Sequence, residues 1–205
     1  MANQIYTVAH KTLQQCITLL EAMPEQSYIK QSVVVPKGTI GKHVRFVLEG
    51  YITKLLEKER TTIQHVYDHF RLLLSSMPTT LTHSTNANNE SSHISTWKVD
   101  YDKRERNVPL EQNIAAALDA IKWIQSLLDE AKNNSVPLST PITLQAIIDP
   151  NSETSSFETS FGRELWFCCL HAIHHYALIK AICYELEIST PDEFGVAPST
   201  LRAQQ

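Results

Sequence analysis

Four stretches of this chain place apolar residues three and four positions apart, and that helical spacing is the strongest constraint on its fold. In residues 4–23 the set is Ile5, Val8, Leu13, Cys16, Ile17, Leu20 and Met23, closed by Pro24. The connector SYIKQSVVVPKGTI resists helix at Pro36 and Gly38, and Thr39 can cap the next helix by accepting from a first-turn amide. From Ile40 to about Leu74 the pattern then runs for roughly 35 residues, about 50 Å at the helical rise, unusually long for a globular domain. Pro109 suits the first turn of a third stretch, which carries Ile114, Leu118, Ile121, Ile124 or Trp123, Leu127 and Leu128, runs to about Ala131 and is stopped by Asn133 and Asn134. Ser160 caps the fourth, with Glu164 favourable to the helix dipole, and it extends to about Ile188.

Between the third and fourth stretches, VPLSTPITLQAIIDP and ETSSFETS are rich in Thr, Ile and Val around a Pro-Asn turn, which predicts a short β-hairpin. Four helices with a β interruption before the last predict a mainly all-α chain, a four-helix bundle. At 205 residues and 42% hydrophobic composition the chain fits a single domain over 1–205 with one sizeable core. Residues 75–96, dominated by Ser, Thr and Asn, predict an exposed, flexible loop.

The net charge of -4, with no long block of like charge, argues against nucleic acid and against an anionic membrane surface as partners. The start MANQIYTVAHKTLQQ has no signal-peptide pattern, and no eighteen consecutive apolar residues occur, so the expected location is cytoplasmic. Cys16, Cys168, Cys169 and Cys183 lack C-x-x-C spacing and are expected to be buried free thiols.

The stretch HAIHHYALI concentrates chemistry. On a helix, His171 and His175 stack on one face, while His174 is turned about 100° away. Two imidazoles among Phe167, Leu170, Leu178 and Ile182 are costly unless bonded, and either a divalent metal or hydrogen-bonding carboxylates and carbonyls would satisfy them. The motif lacks the Glu of H-E-x-x-H.

HAIHHYALIKAICYELEI, PDEFGVAPSTLR and SFGRELWF, together with TIGKHVR, HVYDHFRLLL and VDYDKRERN, resemble segments of an uncharacterised branch of the DinB/YfiT-like superfamily. That resemblance implies a four-helix bundle holding a metal ion between three histidines, two of them at H-x-x-x-H on the last helix, here His171 and His175. The commoner H-R-G-Q ending is replaced by His175-Tyr176-Ala177-Leu178. Deleting residues 46–64 gives GKHVRHVYDHFRLLL, which fits the family block without a gap. The segment is therefore either a genuine insertion, whose apolar residues would need a partner surface or a homodimer contact, or an artefact of the gene model.

Alignment of the D-H-F end implies His65 as third ligand, with His43 the alternative and His69, or no third histidine, remaining. On one continuous helix His43 and His65 would lie roughly 33 Å apart and could not share an ion. Asp68 is an outer-shell candidate, because ligating imidazoles usually give their other N–H to an acceptor. Tyr176, Arg104 and Arg106 are candidates to contact a small-molecule substrate.

Three imidazoles would leave a divalent ion (Zn, Ni or Fe) with an open position able to activate water or a thiol. The resemblance thus implies a metal-dependent thiol S-transferase or hydrolase. The alternative is a non-catalytic bundle whose metal is structural and whose surface binds a partner.

Overall fold

The computed structural model describes residues 2–48, 67–78, 97–102 and 109–204. Helix α1 (Ala2–Glu21) buries Leu13, Cys16, Ile17 and Leu20 on one face. After the short α2 (Glu25–Tyr28), α3 (Ile40–Leu48) begins at Thr39, whose hydroxyl accepts from the Lys42 amide at 3.0 Å. Helix α4 (Tyr67–Ser75) comes next, then strand β1 (Trp97–Asp100) and a 3₁₀ turn at Pro109–Glu111. Helix α5 (Ile114–Asn133) is capped by Asn113, which accepts from the Ala116 amide at 2.9 Å, and buries Ala117, Ile121, Ile124 and Leu128. Strands β2 (Pro141–Ala146) and β3 (Ser155–Ser160) lead into α6 (Phe161–Glu185), and α7 (Pro198–Ala203) is the last described helix.

The strands form one mixed sheet in the order β1-β2-β3. β2 and β3 are antiparallel, from Pro141 opposite Ser160 to Ala146 opposite Ser155. β1 runs parallel to β2, with Trp97 opposite Ile142 and Val99 opposite Leu144. Parallel neighbours need a long crossover, and α5 lies in it. The expectation of an all-α four-helix bundle of DinB/YfiT-like type, with only a hairpin added, is therefore corrected. WKVD reads as part of a charged connector, but Trp97 and Val99 turn one face into the core and stack the sheet on α6, where the Trp97 and Phe161 rings lie 5.1 Å apart.

A second correction concerns the long helix expected over 40–74. α3 and α4 pack side by side, which two ends of one straight helix cannot do. Residues 46–64 and 75–96, read from sequence as an insertion and a loop, lie largely outside the described residues.

Helix α6 is the centre of the fold, packed by α1, α3 and α4. Among the described residues it is long and apolar enough, by length and composition, to cross a membrane. Here that composition serves core packing along one face: Leu165, Cys169, Tyr176, Ile179 and Cys183 are all buried. Two glycines permit close approaches. A Cβ on Gly41 would collide with the Glu111 carbonyl and the Tyr28 ring. Gly195, at φ +72°, brings the C-terminal segment onto the α6 backbone at Tyr176 and Ala177, a conformation and a clearance that suit glycine.

Candidate functional site

Three helices deliver imidazoles to one place. α6 presents His171 and His175 four residues apart, with ring centroids 4.9 Å from each other. α3 brings His43, whose Nδ1 lies 3.1 Å from Nδ1 of His175. α4 brings His69, 4.8 Å from His171 between centroids and edge-on to the Tyr101 ring at 4.0 Å. His174 flanks the group from the exposed side, 5.4 Å from His175.

Burial sets the protonation of the inner pair. His43 and His175 are 6% and 8% exposed. Desolvation, then the neighbouring His174 and Lys42, lowers the His43 pKa to about 4. Desolvation, then His171, His43, His174 and His69, lowers that of His175 to about 2. Both rings are neutral at pH 7, so in the His43–His175 contact one Nδ1 donates and the other accepts.

Beneath His69 lies a buried polar knot. Glu164 is fully buried and accepts from the Tyr101 hydroxyl at 2.8 Å, the Thr159 hydroxyl at 2.7 Å and Arg163 Nη1 at 2.7 Å. The Tyr101 hydroxyl also lies 3.9 Å from Cys168 Sγ, and burial first, then Cys168 and Glu164, hold the phenol well above its usual pKa. The four cysteines are all buried free thiols, and burial pushes Cys16 and Cys169 up to about 12.

Two hollows flank the outer face of α6. One, about 410 Å³, is lined by Gln4, Ile5 and Val8 of α1, by Gly162, Trp166, Cys169, Leu170 and Ile173 of α6, and by Leu138 and Pro198. The other, about 440 Å³, is lined by Phe167, Leu170, His171, Ile173, His174 and Ala177 with Gly195 and Ala197.

Of the residues singled out from sequence, His171, His175 and His43 are brought together. His65, Arg104 and Arg106 lie outside the described residues, as does the side chain of Asp68. Tyr176 is turned away from the cluster: it is fully buried, donates to the Thr12 carbonyl at 3.0 Å and stacks on Phe194 at 4.8 Å. His69 is the member of the cluster that spacing does not favour. It reaches the others only because α4 lies beside α3, and its one signal is its place in the D-H-F block.

No family model matches this chain. A curated protein of Rhizopus delemar named FK506-binding protein 5 is 51% identical to it over 105 residues, which is 51% of this chain and 27% of that protein. The chain thus spans about a quarter of the relative it matches. No solved structure matches.

These findings overturn the DinB/YfiT-like resemblance, and with it the metal-dependent thiol S-transferase or hydrolase and the alternative of a bundle with a structural metal. The relative carries a different name, and no family model, DinB-like or other, supports the assignment. The description of the chain as metal-binding through a histidine triad is corrected too. Among the described residues, no group of three or more His, Cys, Asp or Glu side chains stands in an arrangement that could hold an ion. Physically, His43 and His175 turn their Nδ1 atoms toward each other and satisfy one another by a hydrogen bond. The described side chains by themselves thus supply no complete set of ligands for an ion.

Proposed function

We propose that this chain binds an apolar small molecule in the hollow between α1 and α6, with FK506, named in its relative, as the first ligand to try. The observation that carries this reading is the 51% identity to a protein named for binding FK506. The hollow supports it in size and lining: about 410 Å³ falls in the usual range of ligand pockets, and Gln4 contributes a polar amide side chain to an otherwise mainly apolar wall. Trp166 and Leu170, 51% and 40% exposed, offer apolar surface that a ligand would cover.

The test is titration with FK506, followed by tryptophan fluorescence and calorimetry. Saturable binding is expected, weakened tenfold or more in Leu170→Asp, which changes an exposed position. Absence of saturable binding, or equal affinity in the variant, overturns the reading.

The cofactor expectation is separate from this function. Zn, Ni or Fe held by His171 and His175 with His65 involves a residue outside the described ones, and it stands as a proposal whose check is metal content after loading, compared between the natural sequence and His171→Ala.

A further inference from the structure

Leu170 and Ile173 line both hollows on α6. The apolar hollow against α1 and the imidazole-walled hollow beside His171 and His174 are thus neighbours across a single pair of side chains. The three- and four-residue spacing of Trp166, Leu170 and Ile173, then Phe167, His171 and His174, lays two adjacent stripes along one helix. One stripe offers only apolar surface, and the other ends in ring nitrogens.

Resting on the function proposed above, we infer that the ligand is an uncharged amphiphile: an apolar body lies along Ile5, Val8 and Trp166, and a hydroxyl or carbonyl head crosses Leu170 to meet the imidazole of His174. Charge decides the class of head. Among the described residues, no Asp, Glu, Lys or Arg lines either hollow. A carboxylate head would find no fixed cation on either wall, and an ammonium head no fixed anion. A hydroxyl or carbonyl needs no counter-charge, and the ring nitrogens of an imidazole can donate to either and accept from a hydroxyl. His174 is the exposed ring of the group, so it can turn to a ligand without disturbing the buried His43–His175 contact.

The experiment compares 1-octanol with octanoate at pH 8 by calorimetry on the full chain and on His174→Leu. The expected result is saturable binding of 1-octanol at least tenfold tighter than octanoate, with that preference reduced to less than threefold in His174→Leu. Equal binding of both compounds, or a preference unchanged in His174→Leu, overturns the head-group inference while leaving the apolar hollow standing. If neither compound binds and FK506 also fails, the proposed function falls and takes this inference with it.

Discussion

His43 Nδ1 and His175 Nδ1 meet at 3.1 Å, joining α3 to α6 through two neutral imidazoles. Each ring's pKa is lower in the fold than the ordinary value of 6.5, to about 4 and about 2. The unfolded chain therefore binds more protons than the fold below about pH 6.5, and stability falls as pH drops through that range toward the folded values. Above pH 6.5 the pair makes no pH-dependent demand. Thermal unfolding is expected to show a melting temperature lower by ~5 °C or more at pH 5 than at pH 7.5. In His43→Gln that pH dependence is expected to shrink; a slope identical to that of the natural sequence would dismiss the pair as its source.

Glu164 holds three donors while itself fully buried. Glu164→Ala strands the Tyr101 and Thr159 hydroxyls and should cost about 3 kcal/mol in urea unfolding. Tyr101→Phe should cost about 1 kcal/mol, and the double variant should lose less than the sum because both act on one bond. Additive losses would mean that the two residues act independently.

Gly41 sits where α3 meets the 3₁₀ turn. Adding a Cβ there drives into the Glu111 carbonyl, which is backbone and cannot swing aside. Gly41→Ala should destabilise by ~2 kcal/mol or more, whereas helix propensity alone would make the same change favourable. A stabilised variant would show that α3 and the turn are not in close contact.

Glu185, at the end of α6, accepts from the Ser32 hydroxyl at 2.6 Å and from the Val33 and Val34 amides at 2.9 and 3.2 Å. The Ser32 bond first, then the Val33 amide, holds its pKa below the ordinary value. Because the folded value is the lower one, this support is present above the unfolded carboxylate pKa and is lost as pH falls through the folded one. The segment it anchors exposes Val33 at 86% and Val34 at 63%. Glu185→Ala is expected to speed proteolytic cleavage within residues 29–38 severalfold, measured by fragment mass, with little change elsewhere; unchanged cleavage would show that the carboxylate does not hold the segment.

Apolar spacing locates three helices closely. α1, α5 and α6 each bury one face or more against neighbours, and burial is what writes a 3.6-residue period into a sequence. The Thr39, Ser160 and Pro109 signals are local as well, since a cap or a first-turn proline acts within a few residues; Pro109 begins the 3₁₀ turn rather than α5 itself. The His171–His175 pair is legible for the same reason, being one turn of one helix.

The failures share the opposite cause. β1 is a strand because β2 lies beside it, across an intervening helix, and nothing in WKVD alone reports that partner. The period over 40–74 is helical in its described parts, but whether α3 and α4 form one rod or pack side by side depends on contacts between them and with α6. That packing decided the site. It placed His43 against His175 and His69 against His171, put Tyr176 on the Thr12 side, and turned α6 from an apolar run into the centre of a mixed α and β fold. Sequence by itself determined which residues share a helix face, because backbone geometry is local. Only the tertiary structure decided which faces meet, because that choice rests on burying apolar area between segments far apart in the chain.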